Sequence, residues 1–248
     1  MNINSDDIDA VTFDFYNTLV HHRHGSGRGA MVTEYLDAQG WDHDPWEHQV
    51  LYDVFENHDT DYAPDKSEEE KYHYYETLAD RLFQRLNVRA PNGAASEHAA
   101  NLWYLLGPAS LALFPDVTGV LRILKEADYP LALVSNWQCG LRNFCVELGI
   151  GHAFDHVLAS AEIASEKPDA AIFNEACRRL DTPAHRVLHV GDTILDDVEG
   201  ARAAGMPVIL VQRNDAVPPP DTLSVSSLET LPELLGLNNL PFPLPRVD

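Results

Sequence analysis

The stretch VLHVGD at residues 187–192 is a short apolar run that ends in a glycine and an acidic residue, Asp192. Three other short runs rich in apolar residues have a similar form, and helix-like sequence follows each of them. These runs and the polar residues that come after them are 11–13 with Asp14, 131–134 with Ser135, and 156–159 with Lys167. Short apolar strands that alternate with helices predict an α/β fold with a doubly wound parallel sheet, buried on both faces.

The polar residues after these runs suggest what the sheet does. The carboxyl ends of parallel strands lie at one edge of a sheet, where ligands bind. We therefore expect Asp14, Ser135, Lys167 and Asp192 to share one pocket, although they are far apart in the chain. A carboxylate nucleophile, a hydroxyl, an ammonium group and a metal-binding acid together suit phosphoryl transfer through an aspartyl intermediate.

Composition limits the class of protein. A chain of 248 residues, of which 45% are hydrophobic, can form one large domain or a core with a modest insert. Its three cysteines, Cys139, Cys145 and Cys177, lack metal-ligand spacing, which favours buried thiols in a reducing compartment. Neither a signal peptide nor an apolar run long enough to span a bilayer is apparent, so we expect a cytoplasmic protein.

The charge balance is strongly acidic, with 39 acidic and 17 basic residues and a formal net charge of −22. Such a charge repels nucleic acids and anionic membrane surfaces, so we expect neither as a partner. Two explanations of the acidity stay open, ordinary solubility and adaptation to high salt. The few lysines and many aspartates favour a halophilic origin.

The chain between the first two apolar runs is expected to form a separate helical domain. A first strand over about 8–16 is followed by HHRHGSGRG at 21–29, which is too rich in glycine for regular structure and predicts a hinge or flap. Four helices follow, predicted over 30–39, 45–57, from Ser67 with its capping-box sequence SEEE, and 94–106. We therefore divide the chain into a core of 1–20 and 108–248 and an inserted domain of 21–107.

The α/β alternation returns from about Leu111. Helices are predicted near 117–127, 140–149, 170–180 and 195–204, and a strand over 208–211. A last strand-like piece follows the prolines at 218–220, and a final helix is predicted near 227–236.

Four motifs in this framework resemble those of the haloacid dehalogenase superfamily. They are FDFYNTL at 13–19, VSN at 134–136, KP at 167–168 and GDTILDD at 191–197, and GARAAGM at 200–206 is similar to the usual continuation. The match covers about 8–20 and 108–215, in the family's order. It implies a Rossmann-like core, with the inserted helical domain acting as a cap over the active site.

The resemblance also implies roles for the acidic residues. Asp14 would be the nucleophile and a Mg²⁺ ligand, together with the backbone carbonyl of Tyr16 and with Asp192. Asp197 would complete the inner or water-mediated shell. For Asp196, a metal role and a favourable charge at a helix start are equally acceptable.

Phosphate binding would fall to four residues. By the resemblance, Thr18, Ser135 and the backbone N–H of Asn136 would bind phosphoryl oxygens, and Lys167 would neutralise Asp14 and the transferring group. In the inserted domain, Arg23 and Arg28 are candidates for gripping an anionic substrate, although a solvated basic loop explains them as well.

Tyr16 departs from the phosphatase pattern, because phosphatases of this superfamily usually carry an aspartate there as acid and base. Dehalogenases carry tyrosine at this position, but their fourth motif usually has no aspartate at the position that corresponds to Asp192. Clustered carboxylates need a cation, which favours Mg²⁺ and phosphoryl chemistry. A phenol, with an ordinary pKa of about 10, is a poor general base. Two explanations stay open. The substrate has a good leaving group, or one of His21, His22 and His24 supplies the acid. These histidines are also explained by a solvated loop without any role in the reaction.

Three functions are therefore weighed. The preferred one is a Mg²⁺-dependent phosphatase that acts, as a monomer or homodimer, on a small phosphorylated metabolite. The first alternative is a 2-haloacid dehalogenase, in which Asp14 attacks carbon. The second is a phospholigand-binding protein without catalysis.

Overall fold

The computed structural model describes residues 5–23, 27–47, 49–55, 67–213 and 218–237. The strands in these residues are β1 Ala10–Phe13, β2 Val20–His22, β3 Leu111–Leu113, β4 Leu131–Ser135, β5 His156–Ala159, β6 Val187–Gly191, β7 Val208–Val211 and β8 Ser224–Val225. The α-helices are α1 Arg28–Ala38, α2 Gln49–Phe55, α3 Glu68–Arg85, α4 Ala94–Leu106, α5 Val117–Glu126, α6 Leu141–Glu147, α7 Ser160–Ile163, α8 Ala170–Arg179, α9 Gly200–Ala203 and α10 Leu231–Leu234.

The predicted doubly wound parallel sheet is confirmed. In the described part of the chain it has six strands in the order β5-β4-β1-β6-β7-β8, and every neighbouring pair is parallel. Along the chain, β4 and β5 are added on one side of β1, and β6, β7 and β8 are then added on the other side. The strand order therefore reverses between β1 and β6, which is where open α/β sheets bind ligands.

Apolar side chains explain why these segments form the sheet and its covering helices. All residues of β1, β4, β6 and β7 are buried, as expected for strands covered on both faces. Helix α8 buries Ile172, Phe173, Ala176 and Cys177 against this sheet, at the predicted helical spacing. Each large apolar side chain removed from water contributes roughly 1.5–3 kcal/mol.

Contacts divide the chain into two compact units. The first, the sheet unit, contains Met1–Val20, Leu113–Asn136 and His152–Asp248, and the second, the helical unit, contains His21–Ala112 and Trp137–Gly151. The prediction from sequence placed 108–112 and 137–151 with the core, whereas contacts group them with the helical unit. That the helical unit acts as a cap stays a prediction.

The helical unit has its own apolar core. Helices α1 to α4 bury residues such as Leu36, Leu82 and Leu102 in one cluster. Helix α3 begins with the predicted capping box, in which Ser67 Oγ accepts from the Glu70 backbone N–H and Glu70 accepts from the Ser67 backbone N–H. Of the helices in the described ranges, none is both long and apolar enough to cross a bilayer.

Some predicted elements differ from the structure. The segment 21–29 is not wholly irregular, because Val20–His22 pairs with Leu111–Leu113 in a two-stranded sheet and α1 begins at Arg28, while 24–26 lies outside the described residues. The helix predicted from Pro45 begins at Gln49, and the one predicted near 227–236 is a 3₁₀ turn followed by α10.

Candidate active site

The loop after β1 presents Asp14 at the carboxyl edge of the sheet. The backbone N–H of Asp14 donates to the Val190 carbonyl of β6 at 2.9 Å, which joins the two strands at the switch point. The chain then turns sharply at Asn17, whose φ of 59° lies in the left-handed region that asparagine tolerates. Within this turn the Thr18 side chain is buried, and its hydroxyl has no hydrogen-bond partner among the described residues.

Lys167 lies between two buried carboxylates. Its Nζ is 2.6 Å from Asp14 Oδ1 and 2.5 Å from Asp197 Oδ1. Burial disfavours the charged form of Lys167, but the charges of Asp14 and Asp197 outweigh burial and raise its pKa. Ser135 Oγ also donates to Asp14 Oδ1, at 2.9 Å. Four of the predicted residues therefore meet at one edge of the sheet unit.

Asn136 explains how Lys167 is placed. Its side-chain amide donates to the Lys167 carbonyl at 2.9 Å, and its side-chain oxygen accepts from the Lys167 backbone N–H at 2.7 Å. The prediction from sequence considered only the backbone N–H of Asn136 and missed this side-chain role. An amide side chain presents a donor and an acceptor together, so it can pair with both groups of one residue's backbone.

Asp197 is held by the loop that precedes it. Its Oδ2 accepts from the backbone N–H groups of Asp192 at 3.1 Å and Thr193 at 2.9 Å, and from the Thr193 hydroxyl at 2.8 Å. A Cβ at Gly191 would overlap the Asp197 carboxylate, so only glycine fits there. The predicted helix over 195–204 accordingly starts with a π-helical turn, Ile194–Glu199, before α9.

Three carboxylates converge around a space that a cation could occupy. Asp14, Asp192 and Asp197 each offer an oxygen, and these atoms lie within 4.8 Å of one another. Burial, followed by the charges of Asp14 and Asp197, raises the pKa of Asp192 to about 7. A divalent cation would relieve this repulsion, and carboxylate oxygens are the ligands that Mg²⁺ prefers, so the residues fit the metal. Asp196 is not part of this cluster.

A cleft of about 710 Å³ opens beside the cluster within the sheet unit. Its lining includes Asn17 of the first loop, Asp192 and Thr193 of the second, and Arg213 after β7. A ligand in this cleft would lie next to the carboxylates.

The family follows from comparison with known proteins. The family model for haloacid dehalogenase-like hydrolases matches residues 8–205, which is most of the chain. The chain belongs to this hydrolase family. The resemblance seen in the four motifs is thereby confirmed.

Individual relatives add detail. The chain is 40% identical over 109 residues to a glyceraldehyde 3-phosphate phosphatase of Methanothermobacter thermautotrophicus, covering 42% of this chain and 46% of that protein. It is 26% identical to a ribulose-1,5-bisphosphate 5-phosphatase of Halopiger xanaduensis, covering 92% and 98%. The chain spans about half the length of the first curated relatives it matches. A crystal structure of a HAD phosphatase from Thermococcus onnurineus shares the fold, with a TM-score of 0.61, 20% identity and coverage of 92% and 98%.

The basic residue predicted to bind substrate, Arg28, is not in a solvated loop. It is buried in the helical unit, where its Nη1 donates to the Leu106 carbonyl at 3.2 Å. Its guanidinium carbon lies 4.1 Å from the centroid of a Trp137 ring and 5.7 Å from that of Phe144. Arg23 is exposed and donates to the Ala109 carbonyl at 3.0 Å. A substrate role for Arg28 stays a prediction.

His22 is a poor proton donor at neutral pH. Burial, followed by the charge of Arg28, lowers its pKa to about 4. Its Nε2 accepts from the Arg28 backbone N–H at 3.2 Å, at the first residue of α1. His24, the third histidine considered as an acid, lies outside the described residues.

The half-buried Tyr16 side chain follows Asp14 by two residues, as the motif requires.

Arg213 is a further residue of this region that no sequence pattern indicated. Its Nη2 donates to the Thr18 carbonyl at 2.7 Å, and its Nη1 to Asp116 Oδ2 at 2.5 Å. Arg213 therefore ties the loop after β1 to the start of α5. No motif marks this residue, because the contact depends on where the end of β7 lies in the folded chain.

Proposed function

We propose that this hydrolase is a Mg²⁺-dependent phosphatase acting on a small phosphorylated metabolite, with Asp14 as the nucleophile. The observation that carries the proposal is the group of Asp14, Asp192 and Asp197 at the β1–β6 switch point, in which the buried Asp14 and Asp197 both contact Lys167. The names of the curated relatives, which include glyceraldehyde 3-phosphate and phosphoglycolate phosphatases, support a small phosphorylated substrate.

In the proposed reaction the Asp14 carboxylate attacks phosphorus. The bond from phosphorus to the leaving oxygen breaks, and the leaving group departs as an anion, which takes up a proton from water where its own pKa requires one. Water then hydrolyses the aspartyl phosphate, which releases inorganic phosphate and restores Asp14. The ammonium group of Lys167, 2.6 Å from Asp14 Oδ1, would offset the charge of the transferring group.

Asp14, Asp192 and the Tyr16 carbonyl would hold the metal. Asp197 would act through a water, because its two oxygens already accept five hydrogen bonds, from Lys167, His189, Asp192 and Thr193. The bound ion would stabilise negative charge on the phosphoryl oxygens.

The hydroxyl groups near Asp14 would bind the phosphoryl oxygens. The buried Thr18 hydroxyl, which has no partner among the described residues, is free to donate to one of them. Ser135 already donates to Asp14 and could turn to the phosphoryl group. The backbone N–H of Asn136 would add a further donor, as the motif predicts.

Tyr16 restricts the substrate class within this proposal. With a buried, unprotonated His22, the helical unit supplies no acid from that residue at neutral pH. The two alternatives that remain are a substrate with a good leaving group, such as a phenol, an acyl phosphate or a pyrophosphate, and an acid supplied by His21 or His24, and we favour the first. A Tyr16→Asp variant should gain strongly on alkyl phosphates and change little on p-nitrophenyl phosphate.

Turnover of p-nitrophenyl phosphate with Mg²⁺ tests the proposal. Activity should require Mg²⁺, disappear in EDTA, and be lost in Asp14→Asn and Asp192→Asn. Asp169→Asn is the matched control, because Asp169 lies outside the carboxylate cluster, and its side chain caps α8 by accepting from the Ala171 backbone N–H, as an asparagine can also do. Dehalogenation of a 2-haloacid that survives EDTA would support the dehalogenase alternative, for which Tyr16 is the favouring residue. Absence of any turnover would favour a binding protein.

Location and assembly belong to the same proposal. The acidic composition is compatible with a cytoplasmic, halophilic enzyme that acts as a monomer or homodimer and binds neither nucleic acid nor membrane. Activity and a melting temperature that are unchanged in salt-free buffer would contradict the halophilic part.

A further inference from the structure

Thr12 and His189 are polar side chains in the centre of a buried sheet. Both are completely shielded from solvent, and they are register partners on the neighbouring strands β1 and β6. Strands covered on both faces are normally apolar, and a buried polar group without a partner is costly. These two side chains therefore need a structural or functional explanation that apolar packing does not provide.

Their hydrogen bonds lead directly to the candidate active site. Thr12 Oγ1 lies 2.9 Å from His189 Nδ1, and His189 Nε2 lies 3.0 Å from Asp197 Oδ1. An ionised carboxylate only accepts, so the Nε2 atom must carry the proton that it shares with Asp197. With a neutral ring, Nδ1 is then the acceptor, and Thr12 donates its hydroxyl hydrogen to it. The other contact of Thr12, to the Leu188 carbonyl, is longer at 3.5 Å.

Packing restricts the histidine ring as well. The ring of Phe173 on α8 meets it edge to face, with centroids 5.0 Å apart and planes at 86°. Contact with Thr12 at one nitrogen and edge-to-face packing against Phe173 therefore limit the directions in which the ring can present Nε2 to Asp197.

Asp197 connects the His189 ring, through Lys167, to the proposed nucleophile Asp14. The Oδ1 atom that accepts from His189 also accepts from Lys167 Nζ at 2.5 Å, and Nζ lies 2.6 Å from Asp14 Oδ1. A continuous chain of contacts therefore runs from Thr12 through His189, Asp197 and Lys167 to Asp14. Partners behind a catalytic or metal-binding group commonly fix its direction.

We propose that Thr12 and His189 are positioning residues, which hold the Asp197 carboxylate so that it fixes Lys167 Nζ against Asp14. The inference rests on the proposed phosphatase function for its kinetic consequence. Its structural part, the orientation of the His189 ring by Thr12, does not depend on any activity.

The test uses a nearly isosteric substitution. Thr12→Val removes the hydroxyl, and we expect kcat on p-nitrophenyl phosphate to fall about tenfold or more while KM changes less than about twofold. Thr12→Ser retains the hydroxyl and should recover most of the loss. Thr182→Val is a matched control, because the Thr182 hydroxyl donates to the Leu180 carbonyl just after α8 and contacts none of the residues in this chain of contacts.

A spectroscopic readout separates positioning from general destabilisation. Long-range ¹H–¹⁵N spectra of the histidine rings report which nitrogen carries the proton, and the His189 signals are those that disappear in His189→Gln. We expect the Nε2–H form in the wild type and an altered ring signal in Thr12→Val.

Each outcome bears on the inference. A wild-type kcat in folded Thr12→Val, or a wild-type His189 ring that carries its proton on Nδ1 alone, would overturn it. The wild-type spectrum decides the matter even if Thr12→Val fails to fold. If wild type turns over no phosphate ester but shows the expected ring form, the proposed phosphatase function fails while the orientation of His189 stands.

Discussion

The sheet unit and the helical unit both bury charged or titratable side chains, but they use them differently. At the β1–β6 switch point, Lys167 is buried between the carboxylates of Asp14 and Asp197, so its charge faces the groups that would react. In the helical unit, Arg28 is buried against a backbone carbonyl and the rings of Trp137 and Phe144, so its charge supports the unit's own structure. Burial of a charge therefore indicates chemistry only where its partners are themselves reactive or metal-binding groups.

The largest expected effect is in the sheet unit. Replacing Lys167 by Met should lower kcat by about 10²- to 10³-fold, because the ammonium group would no longer offset the charge of Asp14 and the transferring group. The assay is p-nitrophenyl phosphate hydrolysis with Mg²⁺. Lys125→Met is the control, since Lys125 pairs with Asp155 at the surface. Equal losses in both variants would remove the distinction between buried and surface lysines.

A smaller loss is expected when the loop before Asp197 is disturbed. Gly191→Ala places a methyl group against the Asp197 carboxylate, so we expect activity to fall about 10- to 100-fold through displaced Asp197 and Asp192. Mg²⁺ affinity, measured by calorimetry, should weaken together with kcat. The comparison is Gly27→Ala before α1, where a Cβ meets nothing within 4 Å. Unchanged affinity and kcat in Gly191→Ala would show that the close packing there is not needed.

In the helical unit, the corresponding substitution should act on stability. Arg28→Met leaves the Leu106 carbonyl without its donor and removes the contact with Trp137, so the free energy of unfolding should fall by about 1–3 kcal/mol. Denaturant unfolding measures this change. A raised KM with unchanged stability would instead support the substrate-binding role that the sequence analysis considered for Arg28.

The last effect, of a size similar to that of Arg28→Met, concerns pH. The folded-state pKa of His22, about 4, lies below its ordinary value of 6.5, so between these values the unfolded chain binds more protons than the folded one. The free energy of unfolding should therefore be highest above pH 6.5 and should decrease by about 1–3 kcal/mol as the pH falls towards 4. Denaturant unfolding across this range should show a steeper decline in wild type than in His22→Gln. Parallel declines would mean that other groups are responsible.

Local sequence was sufficient to predict most strands of the sheet unit and the start of α3 in the helical unit. The run VLHVGD became β6 with Asp192 after it, and SEEE became the capping box of α3, because strand alternation and helix caps depend on neighbouring residues. The meeting of Asp14, Ser135, Lys167 and Asp192 was also predictable, since parallel strands end at a common edge. These features follow from short stretches and one topological rule.

Other features depend on residues that are distant in sequence and have no motif. Three contacts form only in the folded chain. They are the pairing of Val20–His22 with Leu111–Leu113, the hydrogen bonds of the Asn136 side chain with the Lys167 backbone, and the contact of His189 with Asp197. The histidine in VLHVGD looks like one more residue of an apolar strand until its hydrogen-bond partners, Thr12 on β1 and Asp197, are known. Residue order and local propensity thus account for the strands, the caps and the reactive groups. The direction in which each buried polar side chain points is decided only in the folded chain, because it depends on which donors and acceptors the packed strands and loops bring within hydrogen-bonding distance.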